Sequence, residues 1–306
     1  MRNKIIISII ALAFIGTSVS FAQKRTRVQQ NAMPQKEMCL QLYSIRDKIG
    51  DADKYAKNHV EVFKQLKAMG YSEVEAANYN NGKFYGVSPV QYRQDVAAAG
   101  LSSMSSHATR NLNDDELKNH DFTAALNWWK QAIKAHKDAG MKYLVSPGTN
   151  MPKTLKEAQT ICDYHNEIGK MCKEAGLQYG YHNHSHEFAK VENKVWYEYF
   201  VENTNPEYVF FQMDVYWAVM AQQSPVELFK KYPGRFTLLH IKDKFVLGES
   251  GMVGFDAIFK HAADAGLNHY VVEMEGTEDG MDIMEGVKRC ATYLRVSPFV
   301  KKTYAK

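Results

Sequence analysis

From residue 38 onward the chain alternates between two hydrophobic rhythms. Short apolar, strand-like runs stand at MCLQLYS (38–44), YSEVEAA (71–77), LSSMSSH (101–107) and KYLVSPG (142–148). They recur at LQYGYHN (177–183), YVFFQMD (208–214), FTLLHIK (236–242) and HYVVEME (269–275). The segments between them keep a helical period. In KYAKNHVEVFKQLKAMG, Val60, Phe63, Leu66 and Met69 recur every third residue and read as one helical stripe until Gly70 stops it. AALNWWKQAIKAHKDAG, EAQTICDYHNEIGKMCKEAG and FDAIFKHAADAG end in the same way at Gly140, Gly176 and Gly266. The phrase AG before a strand, at 99–100, 139–140, 175–176 and 265–266, predicts helices that end on a left-handed glycine.

Eight such strand–helix units, spaced 28 to 41 residues apart, predict a single-domain (β/α)8 TIM barrel over residues 38–300. A doubly wound sheet is the rival. It usually carries a glycine-rich phosphate turn after its first strand, and YSIRDKIGD is not one.

The N-terminus follows neither rhythm. Arg2 and Lys4 precede an apolar run from Ile5 to Ile15, and Ser20 and Ala22 supply small residues for cleavage. This predicts a signal peptide over 1–22, too short in its apolar part for a membrane span. Residues 23–37 are polar and aperiodic and are expected to be a flexible linker. An exported, periplasmic protein is expected, with no membrane attachment once the signal is cut. Arg2 and Lys4 leave with the signal and no acid does, so the formal charge falls by two from +4. That balance gives no reason to expect nucleic acid. Cys39, Cys162, Cys172 and Cys290 fit no metal or redox spacing and read as buried free thiols.

In such a barrel the chemistry lies at the C-terminal strand ends. There the sequence places Gln41 and Tyr43, Glu73 and Glu75, and His107 on strands one to three. Strand four ends in Pro147-Gly148. Strand five leads into YHNHSHEF, with His182, His184, His186 and Glu187; strand six ends in Asp214. His240, Lys242 and Asp243 end strand seven, and Glu273 and Glu275 end strand eight. Side chains alternate across a strand, so His182 pairs with His184, His240 with Lys242, and Glu273 with Glu275. Imidazoles and carboxylates on four consecutive strands suit one divalent ion such as Mn, Co, Zn, Fe or Ni. Glu75 and His107 are candidate substrate contacts, and Tyr43 and Trp217 offer rings for apolar sugar faces.

YHNHSHEF, QMDVYWAV, LLHIKD and YVVEME, each at the right strand, resemble the xylose isomerase-like TIM-barrel superfamily of sugar phosphate isomerases/epimerases. The resemblance covers roughly 38–296, including LGESGMVGFDAIFKHAADAG after strand seven. That group includes ketose 3-epimerases, inosose dehydratases and isomerases, and endonuclease IV. The resemblance implies one metal ligand from each of strands five to eight: His182, Asp214, His240 and Glu273, with His184 competing for the strand-five position. The epimerases usually place a glutamate there, paired with the strand-eight glutamate. The histidine resembles the inosose dehydratase branch, which eliminates water beside a carbonyl.

The implied chemistry is α-proton abstraction from a metal-chelated carbonyl, giving a metal-bound enediolate. Candidate bases are Glu273, Glu187 and whichever of His182 and His184 is not a ligand. Lys242 is placed to steady the enediolate or protonate a leaving oxygen. Export argues for a non-phosphorylated sugar, an oxidised sugar or a glycoside. The first expectation is therefore a metal-dependent sugar isomerase/epimerase. The alternatives are a lyase/hydratase of a keto-sugar or 3-keto-glycoside acting by β-elimination, and a non-catalytic sugar-binding barrel. An endonuclease IV-like nuclease fits least, since a three-metal site needs more ligands. Such barrels often form homodimers, although the sequence carries no interface signature of its own.

Overall fold

The eight apolar runs become eight strands: β1 (Cys39–Gln41), β2 (Glu73–Ala76), β3 (Ser102–His107), β4 (Tyr143–Ser146), β5 (Gln178–His182), β6 (Val209–Asp214), β7 (Leu238–Lys242) and β8 (His269–Glu273). In the computed structural model they pair in parallel with their sequence neighbours, and β8 returns to β1 to close a barrel. The structure describes residues 35–278 and 280–305. The expected signal peptide, and all of the expected linker before residue 35, lie outside them. The fold takes hold two residues before Met38. Lys36 is buried, and its ammonium donates to the carbonyls of Leu294 (2.8 Å) and Ser297 (2.6 Å), tying down a helix C-terminus.

The principal helices are α1 (Ala52–Met69), α2 (Pro89–Ala98), α3 (Thr123–Asp138), α4 (Leu155–Ala175), α5 (Trp196–Asn203), α6 (Pro225–Lys231), α7 (Phe255–Lys260) and α8 (Ile283–Val296). Glycine ends α4 as the sequence predicts, with Gly176 at φ 83°. The stripe of α1 needs one correction. Its buried residues are Tyr55, Val62, Phe63 and Leu66, whereas Val60 is 54% exposed. Steps of three drift about 60° around the helix each time, so Val60 and Met69 fall on opposite faces, and the buried stripe instead includes Tyr55 and Val62. All four cysteines are buried and free.

Inside the barrel, side chains rise in layers. A small apolar cluster of Cys39, Met104, Tyr143, Val145, Phe210, Leu238 and Val271 fills the interior. Gly180 makes room for it, because a Cβ there would lie 2.3 Å from the Phe210 ring. Two residues further along each strand the same inward face turns polar. Phe210 gives way to Gln212 and Asp214, Leu238 to His240 and Lys242, and Val271 to Glu273. Register aligns these residues, with Gln212 opposite His182, Asp214 opposite His240, and Lys242 opposite Glu273.

Candidate metal centre and active site

The polar layer rests on one carboxylate. Glu75, at the end of β2, is completely buried. It accepts hydrogen bonds from Gln41 Nε2 (2.8 Å), Ser105 Oγ (2.5 Å) and Gln212 Nε2 (2.9 Å). His240 Nε2 lies 2.7 Å from Glu75 Oε1, and His107 Nε2 lies 3.2 Å from it. Burial alone would raise the Glu75 pKa, but the two imidazoles outweigh it and hold the carboxyl well below the usual range. Glu75 therefore lies behind His240 and is not open to substrate, which corrects its expected role. His107 is drawn the same way: its Nε2 also sits 2.9 Å from Gln212 Oε1, and its ring stacks on His240 at 5.3 Å.

His240 spans two carboxylates. Its Nδ1 is 3.3 Å from Glu273 Oε2, on the opposite side from Glu75. Burial would lower its pKa, yet Glu75 and Glu273 raise it to about 10. Burial works on Glu273 in the opposite sense, and His240 outweighs it, so that carboxyl is held low. Asp214 differs. Burial raises its pKa despite the neighbouring Lys242 ammonium, and the Glu273 charge adds to the rise. Asp214 also caps the short helix Val215–Met220, its Oδ1 accepting from Trp217 N at 3.0 Å. Its Oδ2 is buried without a hydrogen-bond partner, as is Nδ1 of His182. Burial, reinforced by His240 and His107, pushes the His182 pKa far down and keeps the ring neutral.

Two orphaned buried atoms on adjacent strands are costly unless something else satisfies them. A cation fits. His182, Asp214, His240 and Glu273 each offer one donor atom, all within 4.8 Å of one another. The set is mixed nitrogen and oxygen, as suits a transition metal. In it His240 would present Nδ1 while its Nε2–H donates to Glu75, the outer carboxylate that fixes a ligand histidine. The structure thus brings His182, rather than His184, together with the other three.

Lys242 closes the layer above. Its ammonium lies 3.4 Å from Glu273 Oε2, 2.8 Å from Glu275 Oε1, and 4.8 Å from the Trp217 ring centroid. Burial lowers its pKa, but Glu273 and Asp214 outweigh this and leave it a cation. His184 is half-buried at the mouth, its ring 5.1 Å from His182 and 6.0 Å from Trp217. Tyr43 stands at the rim, 44% exposed, with the Arg46 guanidinium 4.3 Å from its ring.

Two other strand-end acids turn away from the mouth. Glu187 is buried, accepting from the Tyr181 hydroxyl (2.8 Å) and His184 N (2.9 Å), so it braces the loop after β5 rather than facing substrate as a base. Asp243 accepts from Lys244 N (2.7 Å), Gly248 N (2.9 Å) and the Ser250 hydroxyl, stapling the loop after β7. Sequence reasoning missed Gln212 and Asn183. Gln212 shares the inward face of Asp214 two residues earlier, so the period-2 rule could have found it. Asn183, whose Oδ1 accepts from Asp214 N at 3.2 Å, left no periodic signal.

Comparisons with known proteins agree with this frame. No curated protein matches the chain. A solved sugar phosphate isomerase/epimerase from Parabacteroides distasonis is 36% identical, covering 90% of this chain and 99% of its own, with a TM-score of 0.80. A second from the same organism is 34% identical, covering 87% and 100%, with a TM-score of 0.79. A more distant structure, the IolI protein with a bound zinc atom, shares the fold at 14% identity, covering 86% and 99%, with a TM-score of 0.64. The model of the xylose isomerase-like TIM barrel matches residues 63–293, and the chain belongs to that family.

Proposed function

We propose that the protein is a metal-dependent isomerase or epimerase of a non-phosphorylated sugar or keto-sugar. The observation that carries this reading is the pair of orphaned buried atoms, Asp214 Oδ2 and His182 Nδ1, in one donor set with His240 and Glu273. A divalent ion held by these four residues would supply a Lewis acid for a sugar carbonyl. The chain's own groups supply the remainder. His184 is kept neutral chiefly by burial and stands at the mouth as the base for the α-proton. Lys242 faces the same space as a cation and balances the charge that develops on the carbonyl oxygen. Trp217 and Tyr43 offer ring faces at the entrance, and their packing against the substrate excludes water from the enediolate. The names of the two Parabacteroides relatives support an isomerase/epimerase. The expected export of the chain supports a sugar without phosphate.

A second reading, β-elimination from a keto-sugar or 3-keto-glycoside, is favoured by one observation. Strand five contributes His182 and no carboxylate to the donor set, so a matched pair of glutamates on the two faces of the sugar is missing, while the Lys242 ammonium is placed to protonate a leaving oxygen. Proton NMR in D2O with a panel of free ketoses, aldoses and 3-keto-glycosides separates the readings. Isomerisation or epimerisation conserves substrate composition and washes deuterium into the α-position. Elimination releases water or an aglycone. Lys242→Met should lower turnover roughly 100-fold with metal content unchanged. No exchange and no turnover on any of these sugars by metal-loaded protein would leave a sugar-binding barrel.

A further inference from the structure

A second group of donors stands at the barrel mouth, outside the four-residue set. His184, His186 and Glu187, all in the loop after β5, each place one donor atom within 4.8 Å of the other two. The rings of His184 and His186 lie nearly parallel, 16° apart in plane and 5.8 Å between centroids. His186 is about half exposed at its side chain (52%), whereas that of Glu187 is almost fully enclosed (1%).

Glu187 carries the argument. A carboxyl enclosed this fully offers an oxygen donor to a cation with little solvent competing for it. The Tyr181 hydroxyl and His184 N bind its two oxygens, but both are neutral donors. The nearest group able to carry charge is His186, whose Nε2 lies 3.4 Å from Glu187 Oε1. Those same neutral donors fix the carboxylate before any ion arrives, as outer hydrogen bonds do in metal sites. Two imidazoles and one carboxylate make up the protein ligands of many zinc centres that leave further positions to water. Two nitrogens among three donors select against magnesium and calcium, which prefer oxygen shells.

We propose that the loop after β5 binds a second transition-metal ion through His184, His186 and Glu187, zinc or cobalt being suitable probes. It binds more weakly than the inner set, because it has three donors rather than four and one of them is solvent-exposed. The adjacency of His182 and His184, 5.1 Å between ring centroids, puts the outer ion beside the inner one. This proposal concerns binding alone and does not rest on the sugar chemistry proposed above; an ion held there engages His184, so it would inhibit proton transfer by that residue rather than assist it.

The test titrates chelator-stripped full chain with Zn2+ by calorimetry, and with Co2+ by visible absorption. Two classes of site are expected per chain. His186→Ala and the more conservative His186→Asn should both weaken the outer class at least about ten-fold and leave the inner class unchanged. The Asp214→Ala, His240→Ala double variant should lose the inner class and keep the outer. His261→Ala is the control for a surface histidine–acid pair, since His261 Nδ1 lies 2.6 Å from Asp264 Oδ2. A single class in the wild type that both His186 substitutions leave intact overturns the proposal. So does a weak class that survives both His186 substitutions or disappears in His261→Ala; in those cases the loop holds only a His186–Glu187 ion pair. A single wild-type class that the His186 substitutions weaken and the Asp214→Ala, His240→Ala variant keeps would count against the inner metal centre and leave this proposal standing.

Discussion

Glu75→Gln is the most informative single change, because it removes charge without changing shape. In the metal-stripped protein the His240 pKa rises from an ordinary 6.5 to about 10. That rise corresponds to roughly 5 kcal/mol of preference for the imidazolium in the folded chain. Two carboxylates produce it, and Glu75, at 2.7 Å, is closer than Glu273, at 3.3 Å. Glutamine still accepts from His240 but carries no charge. The variant should therefore lose about 3 kcal/mol at pH 6, in line with other buried pairs broken on one side. The pH dependence is specific. A raised imidazole pKa stabilises the fold fully below pH 6.5, and that contribution declines as pH rises towards 10. Glu75, held low, contributes above its ordinary 4.5 and loses that contribution as pH falls. The gap between wild type and variant should be widest from about pH 4.5 to 6.5 and narrow steadily to pH 10. Urea unfolding of stripped protein at pH 6, 8 and 10 measures it. A cost under about 1 kcal/mol at pH 6, or one that stays flat to pH 10, would refute the assignment of Glu75 as the counter-charge of His240.

Three further outcomes follow from the same structure. Metal uptake at pH 8 should release about one proton per inner ion, the one His240 holds at Nδ1, read as buffer-dependent heats in calorimetry; heats independent of buffer contradict this. His136 is fully buried and burial pushes its pKa down to about 4, so the unfolded chain takes a proton near pH 6.5 that the folded chain refuses. Stability should fall by about 3 kcal/mol between pH 6.5 and 4, and His136→Phe should remove that share of the acid limb; an identical acid limb in both proteins would show otherwise. Gly180→Ala should cost about 1–3 kcal/mol by driving a Cβ to 2.3 Å from the Phe210 ring, and a shift within about 0.5 kcal/mol in urea unfolding would mean the barrel interior yields.

The sequence and the structure part company at definable places. The barrel was legible because eight apolar runs and their glycine-ended helices repeat, and repetition averages out local error. Val60 was misread because residues taken at every third position drift around the helix, so the run starts on one face and ends on the opposite one. The donors His182, Asp214, His240 and Glu273 were legible as strand-end residues, since period 2 turns each inward. Glu75, Glu187 and Asp243 looked equivalent by that rule, yet they face an imidazole, a loop and a loop. What distinguishes them is depth along the barrel axis and loop closure. Depth is set by inter-strand stagger, which no single strand records, and the stapling of Asp243 by Gly248 N depends on how the loop folds back.

Charge balance explains why strand five can carry a histidine. Asp214 and Glu273 already bring two carboxylates to the donor set, and Glu75 adds a third charge behind His240. Against these stand one imidazolium and the Lys242 ammonium. A fourth carboxylate at position 182 would lie in a space where burial already raises the Asp214 pKa. It would be protonated itself, or it would force Asp214 to be, and in either case a donor would be lost. A neutral imidazole supplies a lone pair without that repulsion. In the proposed reading the cost is chemical: the position that could hold a carboxylate base would hold a ligand, and proton transfer would pass to the mouth, where His184 stands beside Trp217. His182→Glu tests this directly. If the reasoning holds, the variant binds the inner ion no tighter than wild type at pH 6, because one proton must first leave the carboxylates, and the deficit shrinks as pH rises. Tighter binding at pH 6, measured by competition with a chelator, would mean that charge balance does not govern the site.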